Sequence, residues 1–418
     1  MHPFGKRAAL VAAIVITTAA GPATGQAPQE AVSLARLRMM ALRAHPAAAQ
    51  AEALTRLGKA GISAARTWDD PELELVFDQA RPPDTDVPRE GENAWSVTQR
   101  FPFPLSYGHG ITAAERTADS RAAEARAVEL DLFFQVDTAY YDLAAAQERV
   151  GLLAQSAADA DAIYAIAARR VEIGEARESE KLRAEIEFLR QRRVLGVAER
   201  EVAVLRETLR RMAGPELPAD FRIAARWPAA GAVGARDAER ARLRDNPRLG
   251  AARAASEAAE ESRIAAKWGI VPDLRAGVFG ENELDRDAIG FSFGLSVPLW
   301  NANRPAIARA GAEASLAAAE YRRLEIELET ALDAALAAFA LASEQNEAYR
   351  TRLLPAARES LRIAQLSYEE GESSYLELLD AQRTYREAVT EYLDVNRQAA
   401  ASYSEIRRLR GDSTDEAD

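Results

Sequence analysis

The sequence predicts a mainly α-helical protein with a small β-strand portion, built from two copies of one helix–strand–strand–helix–helix unit. Landmarks recur at a nearly constant offset of about 200 residues, so that Asp137 corresponds to Asp333 and Gly174 to Gly371. The long segments are rich in Ala, Leu, Glu and Arg, a composition typical of extended or coiled-coil helices. Because two copies are too few for a solenoid, we expect the two halves to pack side by side.

The borders of the two repeats follow from these landmarks. We place the first repeat at residues 26–214 and the second at residues 236–411, each ending in an Arg-rich helix followed by glycine. Residues 215–235 contain three prolines and are interpreted as the connection between the repeats. Residues 412–418 form a polar C-terminal tail.

The composition argues against several classes of function. The formal net charge is -12, whereas a nucleic-acid partner requires clustered Lys and Arg. The chain contains no cysteine, which excludes disulfides and thiolate metal sites. Beyond the N-terminal segment the histidines are His45 and His109, far apart and without the spacing of a ligand pair. The sequence shows no nucleophile motif and no phosphate loop, so we expect neither an enzyme nor a bound metal or cofactor.

The first 25 residues are typical of a secretory signal peptide. Lys6 and Arg7 precede an apolar run from Ala8 to Ala20, and small residues follow it. An uncleaved membrane anchor is disfavoured, because this run is shorter than the roughly 20 residues that a spanning helix needs. No later segment has such a run, so any crossing of a membrane is expected to use strands.

Four segments are predicted strands, at about 71–79, 94–102, 272–280 and 288–298. In the last of them large apolar residues alternate with the small residues Gly290, Ser292, Gly294 and Ser296. An apolar outer face and a polar inner face are typical of strands in an outer-membrane β-barrel. The alternative is a pair of amphipathic hairpins on the helical core of a soluble protein.

The helical runs are too long for a compact globule. Residues 112–171 contain no break, and about 60 helical residues would extend for roughly 90 Å. The matching run from residue 306 is interrupted by Pro355, where we expect a kink. Residues 80–93 and 281–287 are polar and are predicted to be the hairpin loops.

Four strands cannot close a barrel, and an open sheet edge is not tolerated in lipid. Closure therefore requires several chains. Two chains would give eight strands with an interior largely filled by side chains, whereas three would give twelve strands around a lumen. The inward residues Gly290, Ser292, Gly294 and Ser296 are small, which fits a water-filled passage.

Residues 368–383 (YEEGESSYLELLDAQR) are similar to the corresponding stretch of the TolC family of outer-membrane efflux proteins, and the likeness extends through both repeats. The resemblance implies a homotrimer with a twelve-stranded transmembrane β-barrel and a long periplasmic α-helical barrel. It also implies a periplasmic adaptor (membrane fusion) protein and an inner-membrane pump of the resistance-nodulation-division type as partners. Residues 71–73 and 296–304 most resemble the heavy-metal (CzcC- and CusC-like) branch.

The same resemblance assigns the functional region. It implies that the two helix–helix turns, at Gly174 and Gly371, form the periplasmic tip, together with Tyr368 and Glu180. Glu377 and Asp380 match inward acidic positions of the family, so three chains would place six carboxylates around the duct. Glu377 has an alternative role as a helix cap, because Ser374 and Glu377 have the spacing of a capping box.

The function that follows is an exit duct in the outer membrane, a passive conduit that receives its cargo from the periplasm or an inner-membrane pump. Heavy-metal cations are the cargo that the branch suggests. The alternative is a secreted or periplasmic coiled-coil scaffold without a pore.

Overall fold

The computed structural model describes residues 31–79, 91–223, 226–283, 286–296, 302–370 and 372–412. The signal peptide, most of the first hairpin loop, residues 297–301, Gly371 and the end of the tail lie outside the described residues. The first repeat contains α1 (Leu34–Ala44), α2 (Pro46–Arg66), β1 (Glu72–Gln79), β2 (Gly91–Phe101), α3 (Pro104–Glu172) and α4 (Glu178–Ala213). The second contains α5 (Arg236–Arg242), α6 (Pro247–Trp268), β3 (Leu274–Glu283), β4 (Arg286–Leu295), α7 (Arg304–Ala348), a π-helical turn (Tyr349–Leu353), α8 (Leu354–Glu369) and α9 (Tyr375–Arg410). The predicted order of elements is thus present in both halves.

Matching prolines start matching helices. Pro46 opens α2 after His45, whose Nδ1 accepts a hydrogen bond from the Ala47 amide at 3.2 Å. Pro247 opens α6 after Asn246, whose side chain accepts from the amide of Arg248 at 2.8 Å. Proline fits the first helical turn because its missing N–H would have no helical partner there.

Close to Pro355, where a kink is expected, the helix contains a π-helical turn, Tyr349–Leu353, that ends two residues before the proline. Pro355 has no N–H to donate, and its ring would clash with the carbonyl of Thr351 in a regular α-helix. A wider π turn accommodates such a position between two α-helical segments.

The four strands form one antiparallel sheet in the order β1-β2-β3-β4, and the β2–β3 pairing joins the two repeats. The register aligns outward apolar residues across the sheet in rows. One row contains Leu73, Val97, Val278 and Phe291, and the next contains Leu75, Trp95, Gly280 and Ile289. Phe291 and Ile289 are both more than three quarters exposed in the single chain.

The hairpins are tighter than predicted. Residues 281–287 were expected as a loop, yet β3 extends to Glu283 and pairs with the start of β4 at Arg286. Asn282 and Asp287 face each other there, and their side chains form a hydrogen bond of 2.7 Å. The pairing of β3 with β4 therefore continues through this polar stretch. β2 likewise begins at Gly91, inside the predicted first loop. At the other end β4 stops at Leu295, so Ser296 follows the strand.

The long helices form a layer in which α3 packs against α4 and α9, and α9 packs against α7 and α8. Each repeat ties its long helix to a short N-terminal helix through the matching aspartates. Asp137 accepts from Arg38 of α1 at 2.5 and 2.7 Å, and both side chains are buried. Asp333 binds Arg236 and Arg240 of α5 at an exposed site. No helix within the described ranges is long and apolar enough to cross a bilayer.

Candidate functional site

The turn between α3 and α4 requires glycine. Gly174 has φ +80°, a left-handed conformation that disfavours side chains with a Cβ. The carbonyl of Arg170 accepts from the amides of Glu175 and Ala176, at 2.8 and 3.2 Å, and so closes the end of α3. The turn is therefore fixed by its own backbone.

The turn between α8 and α9 has the same construction on either side of Gly371, which lies outside the described residues. The carbonyl of Ser367 accepts from the amides of Glu372 and Ser373, at 2.8 and 3.1 Å. Both turns thus end their first helix through two amides bonded to one carbonyl.

Three side chains at these turns contact one another and are here named the turn cluster: Arg170, Glu180 and Tyr368. The Tyr368 hydroxyl donates to Oε1 of Glu180 at 3.2 Å, and Nη1 of Arg170 lies 3.7 Å from the same oxygen. The Arg170 guanidinium also stands 5.8 Å from the centre of the Tyr368 ring, within cation–π range. The turn cluster therefore connects the hairpin of the first repeat to that of the second.

An apolar core supports the turn cluster. It contains Ile163, Ala167, Ala184, Tyr368, Tyr375 and Leu378, drawn from both hairpins. Burial, and then the charge of Glu180, raises the pKa of Tyr368. Burial, and then the charge of Glu187, raises the pKa of Tyr375 to about 12. Both phenols are therefore neutral at physiological pH and remain available as hydrogen-bond donors.

Glu377 and Asp380 lie on the exposed side of α9, away from the turn cluster. Glu377 completes a capping box, in which its amide donates to Oγ of Ser374 at 3.3 Å and its carboxylate accepts from the Ser374 amide at 3.4 Å. Asp380 is 72% exposed at its side chain and pairs with Arg383 at 3.4 Å. The structure thus gives Glu377 the capping contacts and leaves the Asp380 carboxylate open to solvent.

A second polar contact between the hairpins was missed by sequence reasoning. Glu187 of α4 is 8% exposed and accepts from Gln191 at 2.5 Å, while Arg386 of α9 lies 3.7 Å from it. Burial lowers the pKa of the Arg386 guanidinium, against the opposing effect of the Glu187 charge. The detectable signal was the spacing of Ala184, Glu187 and Gln191, which places two polar residues in a helical seam.

The predicted inward residues of β4 occupy the face opposite Phe291 and Ile289. Gly290 lies beneath the ring of Phe279, and a Cβ at this position would be 2.5 Å from that ring. Ser292 pairs in register with Gly277, where a Cβ would be 2.7 Å from the Ser292 hydroxyl. Gly294 pairs with Arg275, so this face carries small residues beside an arginine.

Comparison with known proteins gives the family. Residues 37–215 and 240–412 match the outer membrane efflux protein family, one segment for each repeat. The chain belongs to this family. It is 26% identical to the cobalt-zinc-cadmium resistance protein CzcC of Cupriavidus metallidurans over 362 residues, covering 84% of this chain and 83% of CzcC.

Solved structures share the fold. The CmeC outer membrane channel of Campylobacter jejuni has a TM-score of 0.78 at 15% identity, covering 91% of this chain and 87% of CmeC. CusC, which forms a transmembrane channel, has a TM-score of 0.75 at 17% identity, covering 90% of this chain and 91% of CusC.

The efflux protein is therefore an outer-membrane channel subunit with a large periplasmic portion, and it is not an enzyme. This confirms the predicted TolC-family fold and exit-duct function over the alternative of a scaffold without a pore. Within the described residues of the efflux protein, no group of three or more His, Cys, Asp or Glu is placed to hold a metal ion.

Proposed function

We propose that three copies of this efflux protein form one duct that exports heavy-metal cations. The duct would work with a periplasmic adaptor and a resistance-nodulation-division pump in the inner membrane. The observation that carries the proposal is that both layers of the chain have unsatisfied edges at their two ends.

The sheet supplies the first pair of edges. β1 and β4 are the outer strands of the four-stranded sheet, and each has one side without a partner strand within the described chain. Unpaired backbone groups in hydrocarbon cost several kcal/mol each, so β4 of one copy is expected to pair with β1 of the next. Three copies give twelve strands, enough for a barrel with a lumen.

The helices supply the second pair of edges. On α4 a stripe of apolar residues is at least half-exposed: Leu182, Ile186, Leu189, Val197 and Val204. Exposed apolar residues also run along α7 and α8, namely Leu316, Ile326, Leu341, Ile363 and Leu366. Since α4 and α7–α8 lie at opposite ends of the helical layer, a head-to-tail contact between copies would bury both stripes and close a ring.

The cargo is inferred from the relative and from charge. CzcC is named for resistance to cobalt, zinc and cadmium. In a trimer Glu377 and Asp380 would contribute six carboxylates near the turns, which favours the passage of cations. The turn cluster would hold this end closed, because it ties the two hairpins of each chain together.

Assembly is tested by Val204→Glu, which places a charge in the α4 stripe. We expect light scattering to show a threefold chain mass for the wild type and mainly dissociated chains for the variant. Ala203→Glu, at the neighbouring exposed position outside the stripe, is the control and should remain trimeric. An intact trimer in Val204→Glu would contradict the proposed contact.

The proposal that the duct exports heavy-metal cations is tested by removing the carboxylate charges near the turns. The double substitution Glu377→Gln and Asp380→Asn should reduce the cation preference of single channels in planar bilayers. The same variant should restore less cobalt, zinc and cadmium tolerance than the wild type in a deletion strain. Unchanged ion selectivity would limit Glu377 to capping α9. If the deletion strain had wild-type metal tolerance, the proposal that the duct exports heavy-metal cations would be refuted.

A further inference from the structure

The outward apolar band of the sheet is shorter than a barrel needs. Its rows run from Phe101, Leu274 and Leu295 at the helix-facing end to Leu75, Trp95 and Ile289. The next outward row is polar apart from Phe77, since it contains Asn93, Asn282 and Asp287.

The height of this apolar band can be compared with the height that a membrane requires. Four rows of two residues each cover about 27 Å along the strands, or about 20 Å along the membrane normal at a tilt of about 40°. The lipid-facing apolar band of outer-membrane barrels is about 25 Å tall. About 5 Å of apolar surface is therefore expected to come from beyond these rows.

Exposed apolar side chains continue the band at its helix-facing end and are here named the rim: Trp68, Leu105, Trp268 and Ile270. Their exposed fractions are 53%, 46%, 38% and 45%. The Trp68 ring meets Phe101 edge-on at 5.4 Å, and the Trp268 ring lies 6.0 Å from Phe103. The rim is thus continuous with the surface that faces lipid, and each repeat contributes one tryptophan to it.

Each rim tryptophan closely follows a cationic residue in the chain, Arg66 before Trp68 and Lys267 before Trp268. Arg66 is held by Glu115 at 2.7 Å. Lys267 is exposed in the last turn of α6 and makes no ion pair with any described residue. The end of α6 is fixed in place, because its carbonyls at Ala265 and Ala266 accept from Ser106 at 3.2 Å and Asn303 at 2.8 Å.

We propose that the rim is a phospholipid site, in which Trp68 and Trp268 lie at the headgroup level of the periplasmic leaflet and Lys267 binds the lipid phosphate. Indole rings favour the membrane–water interface, since one end is apolar and the other can hydrogen-bond. An ammonium group binds phosphate as a point charge. Complementing the dipole of α6 is the other role open to Lys267, and that role does not depend on lipid.

Depth is tested with single-tryptophan variants of the full-length mature protein, in vesicles that contain lipids brominated at different chain positions. Each variant keeps one of Trp68, Trp268, Trp95 and Trp227, and phenylalanine replaces the other tryptophans. We expect Trp68 and Trp268 to be quenched best by the shallowest bromines and Trp95 by deeper ones. Trp227, in the connection between the repeats, should not be quenched. Absence of quenching at Trp68 and Trp268 would place the rim in water and overturn the proposal.

Phosphate binding is tested by amine labelling, since the chain beyond the signal peptide has three lysines, Lys59, Lys181 and Lys267. Transfer from detergent micelles to phosphatidylglycerol vesicles should slow the acetylation of Lys267 several-fold and leave Lys59 and Lys181 unchanged. Inorganic phosphate added to the micelles should not reproduce the protection. Equal labelling of Lys267 in both media, or protection by free phosphate alone, would overturn its role as a lipid contact.

Discussion

The long helix of the first repeat, α3, is continuous for 69 residues, whereas its counterpart is divided by a π turn into α7 and α8. The two long helices also differ in the elements that they contact. Helix α3 contacts α1, α2, α4, α6 and α9. Among the described elements, α7 contacts α5, α6 and α9, whereas α8 packs mainly against α9. We therefore expect the first hairpin to be the more rigid half of the chain and the second to be the more mobile half.

The matching aspartates show the same asymmetry. Asp137 and Arg38 have side chains only 4% and 7% exposed, whereas Arg236 and Arg240 reach Asp333 from solvent. Hydrogen bonds from these two arginines lower the pKa of Asp333, so its charge is retained without burial. Both repeats therefore keep a contact between the matching aspartate and arginine, but only the contact in the first repeat is buried.

The largest expected effect comes from Asp137→Ala. The substitution leaves the buried Arg38 guanidinium without its carboxylate, which costs about 3–5 kcal/mol in the free energy of unfolding. Urea unfolding followed by circular dichroism measures it. Asp333→Ala is the matched control and should change the urea midpoint far less, because solvent replaces the lost contacts. Equal losses in the two variants would remove the difference between the repeats.

A second test exchanges the helix break between the repeats. The offset of 197 residues between Gly174 and Gly371 places Ala158, an exposed residue of α3, opposite Pro355. We expect Ala158→Pro to destabilise by about 3 kcal/mol or more, since the helix loses a hydrogen bond and the ring meets the preceding turn.

The reciprocal change, Pro355→Ala, is expected to be neutral or stabilising, because the π turn already accommodates the missing N–H. Urea midpoints of the two variants compare the halves directly. A large loss in Pro355→Ala, or none in Ala158→Pro, would show that the π turn does not mark a difference in rigidity.

The sequence predicted the elements better than their ends. Strand alternation at Ile289 to Leu295 and the helix interruption near Pro355 depend on local geometry, so they could be predicted directly from the sequence. The hairpin at Glu283 and Arg286 could not, because pairing with a neighbouring strand outweighed the polar composition.

Contacts of the candidate site also differ in whether a local sequence pattern predicts them. The capping box of Glu377 has a local signature and is present in the structure. The contacts of Arg170 and Glu187 depend on which hairpin faces which, and spacing within one helix carries no such information. Tyr368 was found only through the family resemblance, and its partner Arg170 was not found at all.

The smallest expected effect concerns the contact between the fixed hairpin and the mobile one. Tyr368→Phe keeps the aromatic ring and removes the hydrogen bond to Glu180, a loss of about 1 kcal/mol in each chain. A two-state opening would shift by roughly five-fold per chain, and mean conductance in planar bilayers should rise.

Tyr349→Phe is the matched control for that comparison. It removes an equivalent hydroxyl contact, 2.8 Å from Glu391, but this pair joins the π turn to α9 within the second hairpin. Conductance should therefore stay at the wild-type value. If Tyr349→Phe raised conductance as much as Tyr368→Phe, any loss of contact along α9 would open the duct, and the turn cluster would have no special role. If neither variant changed conductance, the turn cluster would not hold the duct closed.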